Sequence, residues 1–163
     1  MDSLASRSKL FVSCLLGGNP VKDLWAEEEK LALELYGSLT EAESKSIQAK
    51  AASSASGAAI GKAGVKIGDL NEKSRGLARK LLAKRLDVFA ADRRRTAEAI
   101  IERDGGVDNL RIAFWNKADK SHLNGGNYHW RIGNDTVVAD WQTAGKNHIH
   151  MTVRGRAKPA AKS

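Results

Sequence analysis

Residues 128–141 read Tyr128-His129-Trp130-Arg131-Ile132-Gly133-Asn134-Asp135-Thr136-Val137-Val138-Ala139-Asp140-Trp141. Apolar and polar side chains alternate on both sides of Asn134-Asp135, which is the period of half-buried strands around a tight turn. Asn and Asp tolerate the backbone conformations that a two-residue hairpin loop requires. The same period-2 pattern recurs at Leu110–Trp115 and at Asn147–Arg154. The spacing therefore predicts four strands, 110–115, 128–132, 136–141 and 147–154, the last three joined by short turns into an antiparallel meander.

Upstream of this region the period is 3.6. Leu24, Leu31 and Leu35 share a face of a helix over 21–36, with Glu27, Glu28 and Glu29 early, where the helix dipole favours acids. Thr40-Glu41-Ala42-Glu43 reads as a capping box opening a second, Ala- and Ser-rich helix to about residue 54. Asp69 or Asn71 caps a third helix over 71–89, with Leu77, Leu81, Val88 and either Leu82 or Phe89 as its stripe. Asp92 caps a fourth over 93–103, closed by Gly105-Gly106. Gly57, Gly61, Gly64 and Gly68 match neither a Walker loop nor a dinucleotide fingerprint, so residues 55–69 read as a flexible connector. The expected fold class is α+β, with N-terminal helices packed on one face of a C-terminal four-stranded antiparallel sheet. Residues 1–106 form the helical part, 107–155 the meander sharing its core, and 156–163 a disordered basic tail.

Composition narrows the function classes. The 163 residues are 42% apolar and 28% charged, too apolar for a wholly disordered chain. No apolar run approaches the ~20 residues needed to cross a bilayer. The single Cys14 excludes an internal disulfide framework and a cysteine-rich zinc finger, and no neighbouring histidine activates it. Residues 10–16, broken by Ser13 and Cys14, fall short of a signal-peptide core, so 1–18 read as mature protein with a short helix, cytoplasmic by default. The net charge of +8 is spread along the chain, which reads as a solubilising surface rather than a nucleic-acid stripe. Arg93-Arg94-Arg95 lies in a first helical turn, where cations are disfavoured, and reads as a solvated face.

Alternation sorts the meander into two faces. One carries Leu110, Ile112, Phe114, Tyr128, Trp130, Ile132, Val137, Ala139, Trp141, Ile149, Met151 and Val153, which suits packing on helices. The other carries Arg111, Trp115, His129, Arg131, Thr136, Asp140, His148, His150, Thr152 and Arg154, with no Lys and no Glu. A loop of Asn134-Asp135 pairs Gly133 with Thr136 and sets His129 opposite Asp140. A loop of residues 142–146 pairs Trp141 with Asn147 and sets Asp140 opposite His148. The expected result is a transverse row His129–Asp140–His148, with neighbours about 5 Å apart and His150 one row down.

Such a row supports three readings. His129, Asp140, His148 and His150 are ligand types for zinc, iron or manganese. Alternatively, Asp140 orients His129 or His148 as a general base, while Arg111, Arg131 and Arg154, with Trp115 beside them, hold a small anionic substrate. The third is a polar ladder that only satisfies its own members. Nucleic acid is disfavoured, because Trp115 is the lone aromatic on this face. His122, in the loop 116–127 with Gly125-Gly126, is either a further ligand on a lid or an exposed side chain.

These residues resemble a family of uncharacterised proteins, the domain of unknown function numbered 3500. Its pattern is an aromatic–Arg–Ile–x–Gly strand, an acid in the next strand, and Asn-His-x-His followed by Arg. Here these are Tyr128–Gly133, Asp140-Trp141, and Asn147-His148-Ile149-His150 with Arg154, while Leu77–Phe89 and Leu110–Trp115 match upstream elements. The likeness covers about residues 70–155. This chain has Gly133-Asn134, Asp140 and Arg154-Gly155 where the family often has Gly-Pro, Glu and Arg-Asp. The resemblance implies larger, often exported relatives. It supports the location of the site and implies no activity.

Overall fold

A computed structural model describes the backbone of residues 12–15, 20–49, 60–143 and 148–155, and side chains within 26–49 and 60–142. In chain order the elements are β1 (Val12–Leu15), α1 (Pro20–Ser38), α2 (Glu41–Ile47), β2 (Val65–Lys66), α3 (Glu72–Leu86), α4 (Ala91–Arg103), β3 (Arg111–Trp115), β4 (His129–Gly133), β5 (Val137–Thr143) and β6 (His148–Gly155). The class is α+β as the periodicities imply, with β3 to β6 forming the antiparallel meander. The sheet has two further strands, in the order β1-β6-β5-β4-β3-β2.

Both additions correct the sequence reading. Val12–Leu15 is an edge strand paired with β6, not part of a helix, because an isolated helical turn closes few hydrogen bonds while the edge of β6 offers a ladder of them. The glycine-rich segment is not a simple connector over its described part, 60–69. Ile60 and Ile67 are buried, Val65–Lys66 pair with β3, and Gly64 at φ +68° passes so close to β3 that a Cβ would lie 1.9 Å from the Ile112 carbonyl oxygen. The second helix stops at Ile47, short of 54, because Gln48 turns extended and bridges to Phe114 on the half of β3 that β2 leaves uncovered. The expected basic tail, 156–163, lies outside the described residues.

The core brings helices and sheet together. Ala32 and Leu35 of α1, Ala78, Leu81, Leu82 and Leu86 of α3, and Ile101 of α4 pack on Ile112, Phe114, Trp130, Ile132, Ala139 and Trp141. Tyr36 meets Phe114 edge-to-face at 5.2 Å between ring centroids. The helix stripes depart from expectation at three places. Glu28 and Glu29 are buried rather than solvated, Arg85 occupies a core position of α3, and Val88 is exposed. Helix α4 starts at Ala91 without a side-chain cap, so Asp92 lies inside it. Arg94 is spent on ion pairs to Asp87 and Glu98.

The caps tie α2 to α3. Thr40 and Glu43 form the capping box, and Glu43 also accepts from the Asn71 side chain at 2.7 Å, while Asn71 itself caps α3 by accepting from the Ser74 N–H at 3.0 Å. Partial burial pushes the Glu43 carboxyl up, but hydrogen bonds from Thr40 and Asn71 outweigh this and hold it at about 2 against an ordinary 4.5. A depressed carboxyl contributes stability that is complete above its unfolded value and lost as pH falls through the folded one. Acid unfolding should therefore carry a Glu43 component between about 4.5 and 2 that disappears in Glu43→Gln. Asn71→Ala should cost about 1–2 kcal/mol in urea denaturation at pH 7.

Candidate functional site

The β4–β5 turn is longer than two residues. The Asn134 side chain accepts from the N–H of Thr136 at 2.9 Å and of Val137 at 2.8 Å, while the Asn134 N–H donates to the Val137 carbonyl at 2.8 Å. This side-chain turn absorbs Thr136, whose hydroxyl bonds Asp104, and sets Gly133 opposite Val138. Every pairing therefore moves by two residues. Arg131 faces Asp140, and His129 faces Gln142 rather than Asp140. At the next hairpin the shift is four residues. Trp141 faces Met151, Asp140 faces Thr152, Gln142 faces His150, and Val138 faces Arg154.

Even shifts preserve parity, so the division into two faces stands while the neighbours change. The row His129–Asp140–His148 is not formed. Instead Trp115, His129, Gln142, His150 and Ser13 hold one transverse row, and Ala113, Arg131, Asp140 and Thr152 hold the next. His148 pairs with Leu15 one step beyond. His129 and His150 stand two strands apart, about 10 Å between Cα atoms. The side chains of His148, His150 and Arg154 lie outside the described residues.

The middle of the second face is buried, while Arg111, Thr136 and Gln142 are half-buried. His129, Arg131 and Asp140 are 6%, 1% and 0% exposed, and Ile60, Ala49 and Ala63 pack on Ala113 and Trp115 beside them. Arg131 completes a near-equilateral triangle of polar atoms with the other two. Its Nη2 lies 3.3 Å from Asp140 Oδ2 and 3.5 Å from His129 Nε2, whereas His129 Nε2 and Asp140 Oδ2 are 3.9 Å apart. At 3.9 Å, Asp140 Oδ2 and His129 Nε2 are beyond a direct hydrogen bond, and both face the same guanidinium nitrogen. Trp115 stacks on the His129 ring at 4.6 Å and carries Arg131 on its face at 5.0 Å. Arg111 is not gathered into this group. Its guanidinium donates to the carbonyls of Lys62, Ala63 and Gly64, holding that turn against β3. Among the described residues, no three His, Cys, Asp or Glu side chains are placed to hold a metal ion.

The helix-facing side carries ionisable groups that the sequence reading missed. Glu28 of α1 pairs with Arg85 of α3, both wholly buried, and Arg85 lies 5.3 Å and 5.5 Å from the ring centres of Trp130 and Trp141. Burial lowers the Arg85 pKa against the attraction of Glu28 and of Asp140 across the sheet. Burial pushes the Glu28 carboxyl up to about 7, against the pull of Arg85 and Lys84. Next to this pair, Glu29 Oε1 accepts from His122 Nδ1 at 2.5 Å and from the His122 backbone N–H at 2.7 Å, with the Tyr128 hydroxyl at 3.4 Å. His122 is therefore a buried side chain, not an exposed one. Burial, then the Glu29 charge, pushes the Tyr128 hydroxyl well above its ordinary value.

A signal for these groups exists in the sequence. Glu28 falls four residues after Leu24 and three before Leu31, inside the apolar stripe, and Arg85 falls four after Leu81.

The family model for the protein of unknown function DUF3500 matches residues 16–158. The chain belongs to this family. The match takes in β3 to β6 and all four helices, so both faces described above are family territory. No curated protein and no solved structure matches the chain.

Arg131 and Asp140 should behave as a unit. Arg131→Met or Asp140→Asn alone leaves one buried charge uncompensated and should cost about 3–5 kcal/mol, whereas the double change Arg131→Met/Asp140→Leu should recover most of the loss. Urea denaturation of the three variants at pH 7 measures this.

Proposed function

We propose that this DUF3500 domain binds a small oxyanion on the second face of its sheet, at the end where His129, Gln142 and His150 share a row. One observation carries the reading. Asp140 is the single acid in strands β3 to β6, and it is already neutralised by Arg131. The other ionisable groups at register positions on or beside that face, His129, His148, His150 and Arg154, offer nitrogen donors or positive charge. An arriving anion meets no uncompensated carboxylate in these strands. The donors of that row are the His129 and His150 imidazoles and the Gln142 amide, while Arg154 pairs with Val138, four residues farther along β6.

A divalent metal, whether zinc, iron or manganese, is the second reading. What favours it is the shared row of His129 and His150, with His148 next to it. What weighs against it is the positive charge of Arg131, whose Nη2 stands beside both His129 Nε2 and Asp140 Oδ2 and would face an ion using both. Catalysis by His129, Asp140 and His148 lacks a direct hydrogen bond from His129 Nε2 to Asp140 Oδ2, and His148 stands in another row. Nucleic acid has little to stack on, since Trp115 is buried and taken by His129 and Arg131.

Thermal melts with sulfate, inorganic phosphate and Zn²⁺, each at two salt concentrations, test the proposal. Sulfate and phosphate should raise the Tm by mass action; His150→Gln should weaken binding about ten-fold or more, whereas Arg154→Met, four residues along β6 from that row, should change it little. Tight stoichiometric zinc that is lost in a His148→Ala/His150→Ala variant, with no response to either anion, would replace this reading with the metal one. Oligonucleotide binding that grows with length and falls steeply with salt would reject both.

A further inference from the structure

Buried polar atoms in folded proteins almost always find a partner. In the layer between α1, α3 and the sheet several do not. Arg85 reaches Glu28 through Nη2 alone. Its Nε and Nη1 are buried without a partner, as are Glu28 Oε2, Trp130 Nε1 and His122 Nε2. They belong to one cluster. The Arg85 guanidinium lies over Trp130 and Trp141, and the His122 ring lies 5.9 Å from that of Trp141. The His122 ring is held by Glu29, which takes both its Nδ1 and its backbone N–H and leaves Nε2 as the open atom. A histidine with one nitrogen fixed by a carboxylate and the other open is the arrangement that ligand-contacting imidazoles use.

The chemistry of the open atoms describes a guest. Arg85 and Trp130 offer N–H groups only, while Glu28 Oε2 and His122 Nε2 are the two atoms able to accept. A guest must therefore accept more hydrogen bonds than it donates. Two indole rings bound the cluster, which favours a small flat molecule. Two carboxylates, Glu28 and Glu29, already stand there, so a doubly charged phosphate is repelled.

We propose that Arg85, Trp130 and His122 form a second binding site, on the helix-facing side of the sheet, for a small monocarboxylate, with Arg85 and Trp130 donating to its oxygens and His122 Nε2 accepting from a hydroxyl beside the carboxylate. The class is the short 2-hydroxy acids. This site does not depend on the oxyanion face, which lies across the sheet.

The guest takes the Arg85 donors that Glu28 leaves open, and it adds a second negative charge beside one guanidinium. Burial already disfavours the Glu28 charge, so the guest enters as Glu28 takes a proton from solvent, and the charge at Arg85 stays balanced. The groups facing Glu28 are Arg85 and Lys84 of α3 and Tyr128 ahead of β4, with Glu27 and Glu29 beside it on α1. Glu27 is held by Lys84, and Glu29 by His122.

Isothermal titration with acetate and glycolate, at pH 6 and 8 and in two buffers of different ionisation heat, tests this. The expected result is one carboxylate per chain, uptake of about one proton at pH 8, affinity about ten-fold weaker at pH 8 than at pH 6, and glycolate ahead of acetate. Trp130→Phe keeps the ring and deletes the donor, so it should weaken both ligands several-fold without depending on the fate of an Arg85→Met variant. His122→Gln should abolish the preference for glycolate. His150→Gln should change nothing here, although it should weaken sulfate on the other face. Absence of binding by either acid would show that the cluster holds only water and would overturn the proposal. So would binding that ignores Trp130→Phe, or that shows no proton uptake.

Discussion

Two consecutive residues of a strand belong to two different environments, and the β4–β5 pair turns this into a constraint on the whole domain. Trp130 and Trp141 are cross-strand partners facing the helices, and Arg131 and Asp140, their neighbours in the chain, are partners facing the other way. The indoles carry Arg85, and Arg85 requires Glu28. On the far side Arg131 requires Asp140 and lies on Trp115. Charges of alternating sign thus run from α1 through the sheet to His129, all withdrawn from water. Taking ions out of water is expensive, and the expense is offset only while every partner is present. These pairs add to the apolar packing that holds α1 and α3 on one face and Ile60 and Ala63 on the other.

Parity was legible in the sequence, and register was not. Alternation assigned Tyr128, Trp130, Ile132, Ala139 and Trp141 to the helical face, and they are all buried there. The same alternation put His129, Arg131 and Asp140 together on the opposite side, where they meet. Which residue stands opposite which depends on loop length, and loop length depends on whether a side chain builds part of the turn. Asn134 does so, and its two backbone bonds lengthen the loop by two residues. Because that error is even, the face survived and the His129–Asp140 pairing did not.

What escaped entirely were charges placed where pattern reading expects apolar groups. Arg85 and Glu28 lie 57 residues apart on two helices, and neither is interpretable as a buried charge until the other is known to be beside it. His122 sits in a loop, where an exposed side chain is the ordinary expectation, and its anchor Glu29 is 93 residues earlier. The glycine-rich segment was misread for a related reason. Its apolar residues are too few to show a period, yet Ile60 and Ile67 find places in two different clusters because Arg111 ties the intervening carbonyls to β3. In each instance the deciding contact is long-range; the spacing of Glu28 and Arg85 marks core-facing positions, but a local window does not name the partner.

The position of β1 bears on how the chain reaches this state. Residues 12–15 pair with 148–151, so the first described strand completes the sheet beside the last described one. During synthesis the helices can form early, but the edge that receives β1 does not exist until β6 has left the ribosome. Closing a loop of that size is paid in chain entropy before any pairing rewards it, which makes the step slow. Until then the apolar run around Val12–Leu15 and the open flank of β6 are both available to other copies of the chain, the circumstance in which strand exchange between molecules competes with folding within one.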